Sequence, residues 1–186
     1  MNIKNIKQFV LRVDLSDHPL GLIEKFEAHS QGVLHRAFSV FIFRHHGFTL
    51  QLLLQQRALT KYHSGGLWTN TCCSHFKNPS IAKYYPAKRI KKEMGFSCSM
   101  KHAGSFYYKA NLGNNMIEHE IDHVFIGFIN HNLIFPDSQE VLKYQWIDID
   151  ILQKFSEERK EEFTVWFPQA FEIALKFIKK QPNLLV

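Results

Sequence analysis

Two glutamates, Glu118 and Glu120, lie two positions apart in the strand-like segment EHEIDHVFIGFIN. Side chains alternate between the two faces of a strand, so both carboxylates point to one face, which Asp122 extends. Carboxylates this close repel each other unless a proton or a cation lies between them, and this favours a metal site. Taken alone, the pair is better explained as the solvated face of an edge strand, so a metal site needs further ligands.

The uncharged segment GGLWTNTCCSH, residues 65–75, combines a tryptophan, two thiols and an imidazole. In an extended conformation Cys73 and His75 share one face and Cys72 points to the other. A thiol beside an imidazole can form a nucleophile with its base or a metal ligand beside an acid, whereas a free cysteine is usually a small buried hydrophobe. His29 and His35 lie just upstream of the first predicted strand and can fold over the same end of the sheet, although a single histidine is more often a surface or core residue.

Four cations, Lys25, Arg57, Lys61 and Arg89, are spread over predicted loops and helix starts. They can converge on a phosphate group, but each one taken separately is better explained as solvated surface charge. The basic run KRIKK at 88–92 could equally indicate RNA binding. It lacks the interleaved aromatic side chains or the repeated basic stripe that would strengthen that interpretation.

The composition is that of a globular protein that prefers anionic partners. Of the 186 residues, 45% are hydrophobic and only 9 are Gly and 6 Pro, which excludes a disordered or collagen-like chain. The length predicts one domain over residues 1–186. The net charge of +6 is compatible with nucleic acid, phosphorylated metabolites or a membrane surface, and does not choose among them.

The cysteine pattern indicates a reducing compartment. There are three cysteines, two of them adjacent, which is poor material for a disulfide framework. The first residues form no apolar core of signal-peptide length, and no stretch approaches the roughly 18 uncharged apolar residues of a spanning helix. We therefore expect a cytoplasmic protein.

Two hairpins must position these residues. Apolar and β-branched runs flank two short segments with turn chemistry, His45-His46-Gly47 and Gly113-Asn114-Asn115. The predicted strands are Ala37 to Arg44 with Phe48 to Gln56, and Ser105 to Leu112 with Glu118 to Asn130.

Helices are predicted between and after the hairpins. One lies within Pro79 to Met94, with Pro86 at its start and Gly95 at its end. A short strand at Tyr144 to Ile149 leads into a charged helical stretch, SEERKEEF, and Pro168 opens a last helix in which Phe171, Leu175 and Ile178 recur at helical spacing. Strand pairs interleaved with helices predict an α/β domain with a mixed sheet covered by helices.

Four segments in this order, HRAFSVFIF, LLLQQRAL, GLWTNTCCSH and EHEIDHVF, make the chain resemble type 1 isopentenyl-diphosphate Δ-isomerase from about Lys25 to Trp166. The resemblance implies the Nudix α/β/α fold. The segment KRIKKEMGF stands where a Nudix hydrolase carries its R-E-x-x-E-E-x-G box, and only Glu93 and Gly95 remain of that box. Arg89 and Lys92 replace metal-binding carboxylates, which favours the isomerase over a Nudix hydrolase of nucleoside or other diphosphates. A basic RNA-binding module without chemistry is a third alternative.

The resemblance also implies residue roles. One zinc or manganese ion is held by His29, His35, His75, Glu118 and Glu120, and Glu93 helps to hold a magnesium ion that bridges the substrate diphosphate. Cys73 and Glu120 handle the protons with help from Tyr108, Trp166 faces the reacting carbons, and Lys25, Arg57, Lys61 and Arg89 surround the diphosphate. The expected partner is this small-molecule diphosphate, not nucleic acid or a membrane, and the expected state is a monomer.

The reaction explains why such residues are needed. Moving a terminal double bond inward requires a proton delivered to one carbon and another removed two carbons away, through a tertiary carbocation. Water would trap that cation, so the site must be dry, in keeping with 17 Phe, 6 Tyr and 3 Trp in the chain. An indole face such as that of Trp166 can stabilise the cation by roughly 0.5 to 2 kcal/mol.

Overall fold

A single mixed sheet of nine strands dominates the computed structural model, which describes residues 7–79, 84–130 and 133–181. The strands are β1 (Phe9–Val13), β2 (Pro19–Glu24), β3 (His35–His46), β4 (Thr49–Arg57), β5 (Trp68–Thr69), β6 (Cys72–His75), β7 (Met100–Gly113), β8 (Met116–Phe128) and β9 (Val141–Asp148). The helices of the described residues are α1 (Lys25–Gln31), α2 (Tyr84–Met94), α3 (Ile149–Glu158) and α4 (Phe167–Lys179). None of these helices is long and apolar enough to cross a membrane.

Strand β3 is the centre of the sheet. It pairs antiparallel with β1, β4 and β6, and parallel with β8 in a register that runs from His35 opposite Glu120 to Phe43 opposite Phe128. The other side of β8 pairs with β7. Strand β8 is therefore an interior strand, and the interpretation of Glu118 and Glu120 as the solvated face of an edge strand is wrong.

The two faces of the sheet carry separate apolar cores because side chains alternate along β3. On one face Phe38, Val40 and Ile42 pack with residues of α2, including Ile90 and Met94. On the other face Phe41 and Phe43 pack with α4, where Phe171 stacks on Phe41 with ring centroids 6.2 Å apart. Helices on both faces of a mixed sheet confirm the predicted α/β/α architecture.

Both predicted hairpins are present; β3 and β7 are longer than predicted, whereas β4 and β8 have the predicted length and are shifted by one or two residues. In the β7–β8 turn Asn114 and Asn115 have φ angles of 49° and 58°. Two successive positive φ angles are typical of a type I′ turn, which Asn tolerates better than other side chains. The β3–β4 turn contains Gly47 at φ 59°.

The helices differ from the prediction at their ends. Ile149 begins α3 instead of ending β9, and α3 ends at Glu158, so only the first three residues of SEERKEEF are helical in it. A 3-10 turn follows at Lys160–Glu162, and Phe163 is extended. Its ring is buried and stacks on Phe167 at 4.8 Å, so core packing outweighs the local helical tendency. Helix α2 begins at Tyr84, and residues 80–83 of the predicted segment lie outside the described residues.

The sequence patterns predict neither β1 and β2 nor α1, a helix of seven residues that is held by caps at both ends. The Glu24 carboxylate accepts the Glu27 amide at 3.0 Å, and Gly32 closes the helix in a left-handed conformation with its amide bonded to the Ala28 carbonyl. These two caps hold in place a helix too short to be stable alone. Helix α1 carries Lys25 and His29.

A buried asparagine fixes the connection between β5 and β6. Asn70 is fully buried and donates from Nδ2 to the carbonyls of Val40 at 3.2 Å and Cys72 at 2.6 Å. Its Oδ1 accepts from Thr69 Oγ1 at 2.8 Å and from Trp166 Nε1 at 3.2 Å. One amide therefore holds β6 against β3 and also orients the Trp166 ring.

We predict that Asn70→Ala lowers the free energy of unfolding by on the order of 3 kcal/mol, because several buried donors and acceptors lose their partners. Urea denaturation of both proteins measures this change. The control is Asn111→Ala, since the exposed Asn111 side chain accepts only the Gly113 amide, at 2.9 Å. Equal losses in the two variants would contradict the role given to Asn70.

Candidate functional site

The site residues converge because three strands present the same face. On β3, His35, Ala37 and Ser39 point to this face, and residues directly opposite on paired strands share it. Glu120 of β8 lies opposite His35, while His75 and Cys73 of β6 lie opposite Ala37 and Ser39. Strand pairing alone thus brings a carboxylate, two imidazoles and a thiol together.

Five side chains form a compact cluster of possible metal ligands. One ligand atom from each lies within 4.8 Å of the others. The Nε2 atoms of His75 and His35 lie 2.8 and 3.2 Å from Glu120 Oε1. The Nε2 atom of His29 lies 3.5 Å from Glu118 Oε2. The structure therefore brings together every ligand proposed for the zinc or manganese ion: His29, His35, His75, Glu118 and Glu120.

Two of the imidazoles are oriented by the backbone. His29 Nδ1 lies 2.7 Å from the Lys25 carbonyl, and His35 Nδ1 lies 2.8 Å from the Val33 carbonyl. A carbonyl oxygen only accepts, so both Nδ1 atoms carry hydrogen. In the neutral rings the Nε2 lone pairs therefore face the cluster, which is how histidine ligands are commonly held.

The residues present fit a bound cation. His35 Nε2 and Glu118 Oε2 are buried and have no hydrogen-bond partner among the described residues, and buried polar atoms are rarely left in this state. Three imidazoles and two carboxylates suit zinc or manganese better than magnesium. At the open side the Tyr62 hydroxyl lies 3.2 Å from His29 Nε2, and a cation bound by that nitrogen would replace this hydrogen bond.

Buried charge shifts the pKa values of the neighbouring groups. Burial tends to raise the pKa of Glu120, but its contacts with His35 and Tyr108 outweigh burial and lower it. Burial together with repulsion from Glu120 raises the pKa of Asp122 well above its ordinary value. The Asp122 carboxyl accepts from Ser39 Oγ at 2.7 Å through its Oδ2.

The cluster opens into a cavity of about 280 Å³ lined by Cys73, Tyr108 and Trp166. Small-molecule pockets usually measure roughly 300 to 1,000 Å³, so this one suits a compact ligand. Tyr108 donates to Glu120 Oε2 at 2.6 Å. The ring of Trp166 is 4% exposed, and Arg57 lies 5.4 Å from its centroid.

The two adjacent thiols lie on opposite faces, as the extended conformation of β6 requires. Cys72 is fully buried in the core next to α2, whereas Cys73 lines the cavity. Burial raises the pKa of the Cys73 thiol to about 11, although Arg57 Nη1 at 3.3 Å acts in the opposite direction.

The four candidate cations all line the same cavity: Lys25, Arg57, Lys61 and Arg89. The interpretation of each as a separate solvated surface charge is therefore wrong. Burial lowers the pKa of Lys25 to about 8, and repulsion from Lys61 and Arg89 adds to this effect. Arg57 differs from the others because its guanidinium already donates to the backbone carbonyls of residues 63 and 64 and to the Cys73 sulfur.

Two carboxylates hold Lys61 and Arg89, and sequence reasoning identified only one of these carboxylates. Glu140 accepts from Lys61, from Arg89 Nη2 at 2.9 Å and from Lys92 at 3.4 Å. Glu93 is buried outside the five-residue cluster, where one oxygen pairs with Arg89 Nε and the other accepts from Gln55 at 3.1 Å. A magnesium ion on Glu93 would have to replace one of these contacts.

Glu140, Tyr62 and His63 are site residues that the sequence analysis missed. All three lie outside the helices and strands, where no periodicity predicts the direction of a side chain. The available signal was local: Tyr62 and His63 directly follow the candidate cation Lys61.

Similar proteins identify the family of this chain. An isopentenyl-diphosphate Delta-isomerase of Burkholderia multivorans is 42% identical over 162 residues, which cover 87% of this chain and 90% of that protein. One from Photobacterium profundum is 42% identical over 178 residues, covering 95% of this chain and 99% of that protein. The chain belongs to the isopentenyl-diphosphate Delta-isomerase family. No protein-family model matches it.

Solved structures support the fold of this family member. The MutT protein of Methanosarcina mazei superposes with a TM-score of 0.61 at 17% identity and covers 79% of this chain and 94% of its own. The NUDIX domain of NrtR from Shewanella oneidensis superposes with a TM-score of 0.58 at 13% identity, covering 77% of this chain and 86% of its own. The predicted Nudix fold is confirmed.

The acid stability of the protein should depend on Glu140. Burial acts to raise the pKa of this carboxyl, but Lys61 and Arg89 outweigh burial and lower it from 4.5 to about 2. A lowered folded-state pKa stabilises the protein above pH 4.5, and this contribution is lost as the pH falls towards 2. After allowance for screening at a half-buried site, the contribution is about 1–3 kcal/mol.

We predict that Glu140→Gln removes this contribution. The difference between the unfolding free energies of the wild type and the variant should be largest at pH 6 to 7 and shrink towards pH 2. Urea denaturation across this pH range measures it. Glu172→Gln is the control, because Glu172 pairs with Lys176 on the exposed surface of α4. A difference for Glu140→Gln that does not change with pH would contradict the prediction.

Proposed function

We propose that the protein converts isopentenyl diphosphate to dimethylallyl diphosphate in isoprenoid biosynthesis, by protonation and deprotonation through a tertiary carbocation. The main support for the proposal is that three kinds of group surround one cavity. These are the His/Glu cluster, the four cations, and a group formed by a thiol, a phenol and an indole. The names of the 42% identical relatives support the same reaction.

Cys73 and Glu120 handle the two protons of the reaction in this proposal. They belong to different strands, β6 and β8, and line one cavity, so an alkene held there has a proton-transferring group on two sides. One group delivers a proton to the terminal carbon, and the other removes a proton two carbons away. Tyr108 assists through its hydrogen bond to Glu120.

Trp166 stabilises the cationic carbon between the two proton transfers. Its ring borders the cavity, and its Nε1 is bonded to Asn70, so the ring cannot turn freely. A cation over an indole face gains roughly 0.5 to 2 kcal/mol. The reaction requires water to be kept away from this carbon, because water would trap the carbocation.

The His/Glu cluster holds one zinc or manganese ion in this proposal, and magnesium accompanies the substrate diphosphate with help from Glu93. When bound, the zinc or manganese ion neutralises the two buried carboxylates and keeps Glu120 ionised. The chain's own contribution is to fix the imidazoles through the carbonyls of Lys25 and Val33. Glu93 would hold the magnesium ion, and Arg89, which pairs with Glu93, would bind the diphosphate.

Lys25, Lys61 and Arg89 bind the diphosphate directly in this proposal. Arg57 belongs to the same group but contributes mainly by holding Cys73 and the loop at residues 63 and 64. Cations that line a cavity support a small-molecule diphosphate as partner, in preference to nucleic acid or a membrane. We further propose a monomer that folds as one domain over residues 1–186 and works in the cytoplasm, where its three free cysteines would remain reduced.

The direct test is to incubate the protein with isopentenyl diphosphate and magnesium in heavy water. We expect dimethylallyl diphosphate that carries deuterium, detected by proton and phosphorus NMR. Release of inorganic phosphate without a shift of the double bond would contradict the proposal and favour a Nudix hydrolase.

The two adjacent thiols provide a matched pair of variants. Cys73→Ala removes a proton-transferring group and should lower turnover by about 100-fold or more with little change in melting temperature. Cys72→Ala should keep most of the activity but cost on the order of 1 kcal/mol of stability, because it leaves a small cavity in the core. Loss of activity in Cys72→Ala instead of Cys73→Ala would show that the catalytic thiol is misassigned.

A further inference from the structure

A fourth imidazole, that of His63, lies beside the five-residue cluster without belonging to it. Its side chain is 7% exposed, and its Nε2 lies 3.3 Å from Glu118 Oε1. The ring stacks on His29 at 5.4 Å between centroids and turns its edge towards Trp166 at 6.2 Å. His63 therefore touches both a candidate metal ligand and the wall of the cavity.

The two carboxylates of the cluster have similar surroundings. Each has one oxygen next to a side chain outside the cluster and the other oxygen next to the imidazoles. Glu120 Oε2 accepts from Tyr108 at 2.6 Å, which leaves Oε1 facing His35 and His75. Glu118 Oε1 faces His63, which leaves Oε2 buried, without a hydrogen-bond partner and 3.5 Å from His29 Nε2.

One tautomer of His63 suits both of its polar contacts. With its hydrogen on Nε2, the ring points a donor at Glu118 Oε1, which accepts. The other nitrogen, Nδ1, then accepts from Ser64 Oγ, which lies 3.2 Å away. In this tautomer Nε2 has no lone pair to offer to a cation.

The backbone beneath His63 is also fixed. Arg57 donates from Nη2 to the His63 carbonyl at 3.3 Å and from Nε to the Ser64 carbonyl at 3.1 Å. The same guanidinium contacts the Cys73 sulfur at 3.3 Å, so the loop is tied to β6. His63 is thus held through its carbonyl, through contacts at both ring nitrogens and through stacking of its ring on His29. A side chain held in this way can orient the neighbouring Glu118 carboxylate.

We infer that His63 is a positioning residue of the metal site, which holds Glu118 Oε1 so that Oε2 turns towards the cation. This inference rests on the metal binding given under the proposed function. Partners that orient metal ligands in this way typically change metal affinity by about 10- to 100-fold when they are removed.

The test compares zinc affinity among His63 variants of the full chain, by competition with a chromogenic chelator. His63→Phe keeps the ring packing but loses the donor, and we expect zinc binding to weaken by about 10- to 100-fold. His63→Gln keeps an N–H donor near the position of Nε2 and should remain within about 3-fold of the wild type. His46→Gln removes an exposed imidazole at the far end of β3 and should change nothing. If the Phe variant does not fold, as judged by near-UV circular dichroism, His63→Leu takes its place.

The outcomes separate the inference from the proposed function. A wild type that binds no zinc would overturn the metal site itself, and the role of His63 with it. A wild type that binds zinc, together with a Phe or Leu variant of equal affinity, would overturn the role of His63 alone. Equal losses in the Gln and Phe variants would mean that His63 is itself a ligand, and the positioning role would be wrong.

Discussion

The architecture depends on the burial of two carboxylates one pleat apart on an interior strand. Glu118 and Glu120 are 2% and 5% exposed, and burying charge is costly unless it is paired and hydrogen-bonded. Three imidazoles surround them, from α1, β3 and β6. A divalent cation among these five side chains would balance the two negative charges and give a partner to His35 Nε2 and Glu118 Oε2. For such a cation to bind, α1, β3, β6 and β8 must bring their ligands together at one position.

Several separate features of the fold bring the five candidate ligands together. The parallel register of β3 and β8 places His35 opposite Glu120. The caps of α1 hold a seven-residue helix in position, and His119 Nδ1 donates to the Gly32 carbonyl at 2.7 Å, which ties the end of α1 to β8. The two apolar cores lie on either face of the sheet and do not include the five candidate ligands. One face of β3 thus carries the candidate ligand His35 near one end and the core residue Phe41 further along.

The sequence predicts the parts of the site that follow from strand periodicity. The alternation along residues 72–75 and 118–122 places Cys73, His75, Glu118 and Glu120 correctly, and the glycine and asparagine turn fixes the β7–β8 hairpin. Periodicity carries no information about pairing between distant strands, so the parallel contact of β3 with β8 could not be predicted. The loop residues His63 and Glu140 could not be predicted either, because tertiary contacts with Glu118 and Arg89 decide where they point. Phe163 shows that sequence periodicity is also insufficient in the core. Local propensity would continue the helix through Phe163, but its packing against Phe167 favours an extended conformation.

The most direct test of this account is anomalous diffraction at the metal absorption edge, from crystals grown with zinc or manganese. The account predicts one strong peak within about 2.0 to 2.3 Å of the three imidazoles and of one oxygen each from Glu118 and Glu120. No peak at this position, or a peak only at surface histidines such as His46, would contradict it.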